Sequence, residues 1–374
     1  MRFKVPNEIL MGNDIVKTLP DGYFRKFGKK ALIVTGPKVA KTKMFSTLMS
    51  SLERSDMETA VFDDIDAEPT VAMINSGVKK YKLEQCDFVV GLGGGSPLDA
   101  AKAIAAMSVL PGSISDYLGT EIEGDIPPII CLPTTAGTGS EATRFTIITD
   151  DATNVKMLLK GEALLPSAAI VDYSFSADAP LDITIASALD ALTHAIEAYI
   201  SIKHQPLTDS FALSAIMGVV RHLPRVLKNP ADIVARGELA VAALEGGICI
   251  NNSSVTLVHG MSRPIGALFH VPHGISNAML LCTCLLDIYA TENERIDKIS
   301  HHMRMIDGMM FIDKVSELVR QCGIRSIGSY GIERNEFLAV IDKMAEDAMA
   351  SGSPANAPKK YTAEIIKKLY LKAF

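Results

Sequence analysis

Residues 88–105, FVVGLGGGSPLDAAKAIA, begin as a short apolar run, pass through three consecutive glycines and continue as an alanine-rich segment. Ser96 is a suitable helix N-cap, Pro97 fits the first helical position and Asp99 the third, so a helix is predicted to begin directly after the glycines. Glycine has no Cβ to keep a ligand from the backbone, and a helix N-terminus offers free N–H groups to an anion. The stretch therefore predicts a strand, a phosphate-binding loop and a helix. A glycine turn with a purely structural role is the alternative.

The loop matches neither of two familiar nucleotide-binding motifs. Counted from Gly91, Ser96 stands where the dinucleotide fingerprint has glycine or alanine, and no Gly-Lys-Ser/Thr sequence follows the glycines. The phosphate-binding prediction therefore depends on the glycines, the helix start and the strand before them.

The same order of strand and helix extends over the first half of the chain. Short β-branched runs predict strands at 29–36, 57–64, 86–95 and 126–135. The spacing of apolar residues over 69–84 predicts a helix. This alternation is typical of a mostly parallel sheet covered by helices.

From about Leu181 the pattern changes to long helical stretches with little strand signal. Helices are predicted at 183–201, 207–227, 231–250 and 274–289, and several more follow. The turn-rich segment before Leu181 contains Pro180, so we place the domain boundary there, giving domains 1–180 and 181–374. The segment 349–360, MASGSPANAPKK, is expected to be flexible.

The composition favours a small-molecule partner. The chain has 374 residues, 48% of them hydrophobic, and a net charge of −6 without a basic block, so no nucleic-acid partner is expected. No apolar run reaches the ~20 residues that span a bilayer, and the first residues do not form a leader peptide, so no membrane association is expected. Six cysteines without a regular spacing are expected to be reduced thiols, as in a cytoplasmic protein.

A second loop, LPTTAGTGSEATRFTIITD at 132–150, follows another predicted strand and is rich in hydroxyl groups. The hydroxyl groups that could bind a ribose or pyrophosphate belong to Thr134, Thr135, Thr138 and Ser140. Such clusters are more often ordinary loops. Because α/β sheets bind ligands at the carboxyl ends of their strands, this loop is a candidate second wall of the phosphate site.

A carboxylate and an imidazole stand four residues apart in DALTHAIEAY, residues 190–199, within an otherwise apolar helix. Four helical residues turn by roughly 400°, so Asp190 and His194 lie on one face, one turn apart. Such a pair either shares a hydrogen bond or binds one metal ion.

Three of the eight histidines fall within residues 259–280, HGMSRPIGALFHVPHGISNAML. His259 and His273 are each followed by glycine, and His270 lies between them. Together with the helical pair, this clustering predicts a metal site with four ligands: Asp190, His194, His259 and His273. Imidazoles with one carboxylate suit Fe(II) or Zn(II) better than calcium or magnesium.

Four motifs of the chain resemble those of the iron-containing (group III) alcohol dehydrogenases: GGGSPLDAAKAIA, PTTAGTGSEATRFTIITD, DALTHAIEAYIS and PIGALFHVPHGISNAML. The resemblance covers nearly the whole chain and extends in fold to glycerol dehydrogenase and dehydroquinate synthase. It implies a Rossmann-like dinucleotide-binding domain, an all-helical metal-binding domain, an active site in the cleft between them and a homodimer or larger homo-oligomer.

The resemblance also implies roles for individual residues. The pyrophosphate loop would consist of Gly94, Gly95, Ser96 and Asp99, and the second cofactor wall of Thr134, Thr135, Thr138 and Ser140. Lys156 would lie near the nucleotide, and iron would be bound by Asp190, His194, His259 and His273. The metal would act as a Lewis acid on a small alcohol or aldehyde while NAD or NADP exchanges a hydride with it. His270 would either pass the proton to solvent or have a structural role.

Two positions depart from the family pattern. Arg263 stands where several members have a histidine beside the metal, and it either binds an anionic or polar substrate or forms a salt bridge at the rim. Gly36 stands where NAD-preferring relatives commonly carry an acidic residue that binds the ribose 2′-hydroxyl. With lysines at 38, 41 and 43, this favours NADP slightly, although the lysines are also compatible with a solvated loop. Replacing Gly36 with Asp is expected to weaken NADP(H) more than NAD(H).

The predicted function is therefore a metal-dependent, NAD(P)-linked alcohol dehydrogenase or aldehyde reductase. A polyol or hydroxyacid dehydrogenase related to glycerol dehydrogenase is the main alternative, although those relatives usually bind zinc through fewer histidines. A lyase of the dehydroquinate synthase type would need more basic side chains near 190–275. A non-enzymatic nucleotide and metal sensor would not need the intact ligand set.

Overall fold

The computed structural model describes residues 1–153 and 155–374, and its contacts divide the chain into two compact units. The first, which we call the α/β unit, is Lys4–Ala179. The second, the helical unit, comprises Pro180–Phe374 together with Met1–Phe3.

The first residues of the chain are held in the helical unit by specific contacts. The side-chain amide of Gln205 donates a hydrogen bond to the carbonyl oxygen of Arg2 at 3.3 Å. The rings of Phe3 and Phe211 stack with their centroids 6.1 Å apart.

The α/β unit is built on a six-stranded parallel sheet. Its strands are β1 (Glu8–Gly12), β2 (Lys30–Val34), β3 (Glu58–Phe62), β4 (Phe88–Gly93), β5 (Ile129–Pro133) and β8 (Ala168–Asp172). A separate antiparallel pair consists of β6 (Phe145–Asp150) and β7 (Val155–Lys160). The sheet order is β1-β8-β5-β4-β2-β3. The chain places β3 on one side of β2 and then β4, β5 and β8 on the other, so the strand order reverses between β2 and β4. Such a switch point leaves a crevice at the carboxyl ends of the strands, where α/β proteins bind ligands.

Helices cover both faces of this sheet. They are α1 (Ile15–Thr18), α2 (Lys43–Glu53), α3 (Val71–Leu83), α4 (Gly95–Val109) and α5 (Tyr173–Ala177). Along β2, Leu32 and Val34 pack into the core that includes α3 and α4, whereas Ala31 and Ile33 pack into the core that includes α1 and α2. This alternation explains why the strands are apolar at consecutive positions, since each face of the sheet is buried.

The helical unit contains the long helices that supply the candidate metal ligands. Its helices are α6 (Leu181–Ile200), α7 (Pro206–Lys228), α8 (Ile233–Asn252), α9 (Leu257–Phe269), α10 (His273–Tyr289), α11 (Glu294–His302), α12 (Gly308–Gln321), α13 (Arg334–Ala350) and α14 (Ala363–Ala373). Within the described residues no single helix is both long and apolar enough to cross a membrane. The bent pair of α10 and α11 meets the length and composition criteria only when the two helices are combined.

The segment 349–360 is packed, contrary to the expectation of flexibility. Ser353, Pro354 and Asn356 are buried. The Asn356 side-chain amide donates to the Ser254 hydroxyl at 2.8 Å and to the Val255 carbonyl at 3.1 Å. The polar residues that suggested a solvated loop therefore tie the chain between α13 and α14 to the loop before α9.

Candidate active site

Three imidazole nitrogens converge on one carboxylate oxygen in the helical unit. The Nε2 atoms of His194 and His259 each lie 3.6 Å from Asp190 Oδ1, and Nε2 of His273 lies 3.7 Å from it. Ligands of one tetrahedral ion at the usual Zn–N distance would lie about 3.4 Å apart. Donor atoms of Asp190, His259 and His273 all lie within 4.8 Å of one another. The predicted pair on α6 and the predicted histidine cluster thus meet at one point.

Close packing of α10 on α6 sets the position of His273, the first residue of α10. A Cβ atom on the next residue, Gly274, would lie 1.9 Å from the carbonyl oxygen of Ala186 and 3.2 Å from Asp190 Cβ. Only a residue without a side chain allows this approach. The His-Gly pair at 273 and 274 therefore brings an imidazole to the face of α6 that carries Asp190.

Glu197 fixes the orientation of His259. This carboxylate, one turn beyond His194 on α6, is buried and lies 2.6 Å from His259 Nδ1. It also accepts backbone N–H groups of Thr256, Val258 and His259 at 3.0, 2.6 and 3.3 Å, at the start of α9. A carboxylate at a helix N-terminus is favoured by the helix dipole. With the proton held on Nδ1, the Nε2 lone pair of His259 faces Asp190 and is available to a metal ion.

Asn277, one turn after His273 on α10, also reaches the cluster. Its fully buried side-chain amide donates to Asp190 Oδ1 at 2.8 Å, and its nitrogen lies 3.3 Å from His259 Nε2 and 3.4 Å from His273 Nε2. Its Oδ1 is buried without a hydrogen-bond partner among residues 1–153 and 155–374. The amide N–H groups thus point at the atoms whose lone pairs would bind a cation.

The electrostatics of the cluster suit a divalent cation. Burial alone would raise the pKa of Asp190, but the neighbouring imidazoles outweigh it and hold the pKa below its ordinary value. Desolvation of the ring lowers the pKa of His273, although 46% of the side chain is exposed, and this favours the neutral imidazole. The pKa of His259 is raised because its hydrogen bonds and charge interactions with Asp190 and Glu197 outweigh its burial. An anionic carboxylate with three imidazoles matches the donor preference of Fe(II) or Zn(II).

Arg263 lies one helical turn after His259 on α9 and is half-buried. Its Nη1 donates to the Ser353 hydroxyl at 3.2 Å, and its positive charge contributes to the low pKa of His273. Burial lowers the pKa of Arg263, against the attraction of Glu197. The rim salt bridge considered from the sequence is not formed within the described part of the chain. His270 ends α9 in a left-handed conformation (φ 54°) with an exposed side chain.

The glycine loop lies at the switch point of the α/β unit, between β4 and α4. The helix begins earlier than predicted: its N-cap is Gly94, not Ser96, and Ser96 is the second helical residue. Gly94 is in extended backbone and no side chain caps the helix, so the N-cap, first-position and third-position roles of Ser96, Pro97 and Asp99 are corrected. Glycine at the N-cap leaves the first N–H groups of α4 without a side-chain acceptor, which suits an anion.

The two polar loops face each other. A Cβ atom at Gly94 would lie 3.5 Å from Thr135 Oγ1, and one at Gly95 would lie 3.0 Å from Thr138 Cγ2. The backbone N–H of Thr134 donates to the Gly93 carbonyl at 2.9 Å. The glycines and the threonines thus line one region of the sheet edge.

Asp99 and Ser140 lie behind this region and contact each other. Asp99 accepts hydrogen bonds from the Ser140 hydroxyl at 2.5 Å and from the Ile147 backbone at 2.9 Å. The ammonium group of Lys102, which is fully buried, donates to the Ser140 carbonyl and hydroxyl at 2.6 and 2.9 Å and to the Thr143 hydroxyl at 3.1 Å. Asp99 and Ser140 therefore connect the two loops and are already engaged by protein groups.

The remaining nucleotide candidates are Lys156 and Gly36. Lys156 is exposed on β7 and forms an ion pair with Glu68. Gly36 follows β2, and a Cβ atom there would lie 2.7 Å from the carbonyl oxygen of Ile65. This close approach is a steric reason for glycine at position 36, so the expectation for Gly36→Asp is corrected: the substitution would disturb the backbone and would not isolate cofactor preference.

Both halves of the chain match models of the same protein family. The family model described as "Iron-containing alcohol dehydrogenase" matches residues 6–173, and the one described as "Fe-containing alcohol dehydrogenase family, C-terminal" matches residues 184–374. The NAD-dependent methanol dehydrogenase of Bacillus methanolicus is 32% identical over 98% of this chain and 98% of its own length. Alcohol dehydrogenase 4 of Schizosaccharomyces pombe is 34% identical over 87% of this chain and 79% of its own length. A crystal structure of 1,3-propanediol oxidoreductase superposes with a TM-score of 0.94 at 30% identity, covering 100% of this chain and 99% of the other.

The chain belongs to the iron-containing alcohol dehydrogenase family. It is an oxidoreductase that acts on small alcohols and aldehydes, as the resemblance of its motifs implied. The fold is also confirmed: a parallel sheet with helices in the first half and a helical second half, in the dehydroquinate synthase-like architecture.

Two residues that contact this alcohol dehydrogenase's candidate metal ligands were not predicted from the sequence. Glu197 was detectable, because 190, 194 and 197 lie on one face of a helix, and a carboxylate that continues such a face is a typical partner for a metal-bound imidazole. The sequence indicated Asn277 only weakly, because it stands four residues after His273 and would share a helix face with it. Lys102 in the α/β unit resembled an ordinary surface lysine, and only the structure reveals its burial.

Proposed function

We propose that Asp190, His194, His259 and His273 hold the divalent metal ion of an NAD(P)-linked alcohol dehydrogenase that interconverts small alcohols and aldehydes. The observation that carries this proposal is the convergence of three Nε2 atoms within 3.7 Å of one carboxylate oxygen. A hydrogen-bonded pair on α6 alone would not need two further imidazoles from α9 and α10.

A bound metal ion would supply Lewis acidity toward the substrate oxygen, and the nicotinamide would supply or accept the hydride. The protein's contribution is position and charge. Glu197 keeps the proton of His259 on Nδ1, and Asn277 restrains the Asp190 carboxylate. Exposed His270 is proposed to exchange the alcohol proton with solvent through its imidazole.

The proposed cofactor site consists of the uncapped start of α4 and the facing threonines. Gly94, Gly95 and Ser96 would offer backbone N–H groups to the pyrophosphate. The threonine hydroxyls and Lys156 would line the opposite side. Either NAD or NADP suits this site, because Gly36 carries no carboxylate to repel a 2′-phosphate. We propose Fe(II) as the metal, with Zn(II) as an alternative, and a homodimer or larger homo-oligomer.

The test replaces His259 with Ala and uses His302→Ala, an exposed histidine on α11, as the matched control. Protein purified anaerobically is loaded with Fe(II) or Zn(II), and bound metal is measured together with the absorbance of reduced nicotinamide during turnover of a panel of alcohols and aldehydes. His259→Ala is expected to lose both metal and activity, whereas His302→Ala keeps both. Full activity of the His259 variant without metal would refute the site.

A further inference from the structure

Arg263 is a half-buried cation in the immediate surroundings of the proposed metal centre. Its guanidinium has five N–H donors, and the hydrogen bond to the Ser353 hydroxyl uses one of them. Among residues 1–153 and 155–374, no carboxylate forms an ion pair with it. The carboxylate of Glu197 attracts the guanidinium of Arg263, but it already accepts hydrogen bonds from Thr256, Val258 and His259.

Withdrawing an arginine from water without a counter-ion is costly, and such residues are usually paired. The contact with Ser353 is neutral and compensates only part of this cost. An anion supplied by a ligand would compensate the rest, and the planar guanidinium is suited to carboxylate, sulfonate or phosphate oxygens.

The location connects this cation with the reaction. Arg263 and His259 lie one turn apart on α9, so their side chains leave the same face of this helix. The His273 side chain is 46% exposed, so this side of the cluster is open to a small molecule.

We propose that Arg263 binds an anionic group of the substrate, so that the preferred substrates are short aldehydes or alcohols with a carboxylate or sulfonate at the end distant from the reacting carbon. This inference rests on the proposed function. Arg263 determines specificity in this scheme, and the metal ligands and cofactor loops are needed for any substrate.

The kinetic test compares aldehydes of equal chain length, butanal and 4-oxobutanoate. The wild-type enzyme is expected to show the higher kcat/KM for the anion. Arg263→Met, which keeps an unbranched apolar side chain but removes the guanidinium and its charge, is expected to lower kcat/KM for 4-oxobutanoate about 100-fold and that for butanal less than about 3-fold. Arg221→Met, which removes an exposed arginine from α7, is the control and should change neither.

A binding test is independent of turnover. Propane-1-sulfonate is titrated calorimetrically into metal-free protein, where coordination to metal cannot contribute. Wild type and Arg221→Met are expected to bind it, and Arg263→Met to bind at least about 10-fold more weakly.

Several outcomes would overturn the proposal. Arg263→Met could lower kcat/KM for both aldehydes equally, which would make Arg263 a structural residue that does not select anionic substrates. Equal sulfonate affinity in wild type and Arg263→Met would exclude anion binding there. Absence of turnover with every substrate would instead contradict the proposed function, while the calorimetric result would still decide the role of Arg263.

Discussion

Replacing Glu197 with Gln is expected to weaken metal binding without touching a metal ligand. The carboxylate has only acceptor atoms, and each of its oxygens faces donors: Oε1 faces the Thr256 hydroxyl and the Val258 N–H, and Oε2 faces N–H groups of Thr256 and His259 and the His259 imidazole. Glutamine must turn its NH₂ toward one of these sets, leaving at least one buried donor without an acceptor.

The magnitude follows from these contacts. Losing one charge-assisted hydrogen bond costs about 1.5–3 kcal/mol, and an unsatisfied buried donor costs roughly 1–3 kcal/mol, so metal-free Glu197→Gln should be destabilised by about 3–5 kcal/mol. Without the carboxylate on Nδ1, His259 can move its proton to Nε2, where it blocks coordination. Metal affinity should fall about 10- to 100-fold.

The assay has two arms. Metal affinity is measured by competition with a chelator, and the ¹⁵N chemical shifts of the His259 ring report which nitrogen carries the proton in metal-free protein. Glu245→Gln on α8 is the control: burial raises the pKa of Glu245 to about 7, so at pH 7 its replacement removes only about half a negative charge. Unchanged metal affinity and an unchanged His259 tautomer in Glu197→Gln would refute this account of the site.

Three further substitutions test other parts of the molecule. Burial raises the pKa of Glu141 to about 7 from 4.5, so the folded state binds its proton more tightly and wild-type stability should fall, by up to ~3 kcal/mol, as pH rises between about 4.5 and 7. Glu141→Gln should therefore gain stability over wild type through this range and none below it in denaturant unfolding; a constant difference would contradict the assignment. Asn277→Leu removes the amide donor to Asp190 and should lower metal affinity about 10-fold, while unchanged affinity in the chelator assay would deny Asn277 a positioning role. Gly274→Ala places a methyl group against the Ala186 carbonyl and should destabilise the protein by ~3 kcal/mol. The measurement is the midpoint temperature of thermal unfolding. A midpoint equal to that of wild type would show that α10 can shift without a free-energy cost.

The sequence was sufficient to predict the helices and strands whose apolar residues recur with a clear helical or strand period. The predicted strands correspond to β2–β5 and the predicted helix at 69–84 to α3 (Val71–Leu83). It was insufficient for α9, because Pro264 and two glycines reduce helix propensity within thirteen residues, and packing outweighs that cost. The strands β1 and β8 pair with each other although one begins at Glu8 and the other at Ala168, a partnership that no local pattern indicates.

In the candidate site, too, some residues could be predicted from the sequence and others could not. Spacing within one helix predicted Asp190 and His194 as a pair, and clustering predicted His259 and His273; the structure brings these four side chains together, and their role as metal ligands stays a prediction. The packing around Gly36 depends on its close approach to the carbonyl oxygen of Ile65, which no sequence period indicates. The burial of segment 349–360 was missed because its polar residues bond to backbone and side chains elsewhere in the chain, and composition alone resembles that of a solvated loop.

Contact between Phe3 and Phe211 has a consequence for synthesis of the chain. Phe3 is made about 200 residues before the ring it packs against, an interval of roughly 10–40 s at ordinary translation rates. During that interval the whole α/β unit, Lys4–Ala179, is synthesised and is free to fold while the residues in front of it have no partner. Residues 1–3 are therefore made early and reach their packing partners late. In a nascent chain halted after Ala179, residues 1–3 should be open to protease, whereas in a chain halted after α7 has emerged they should be protected.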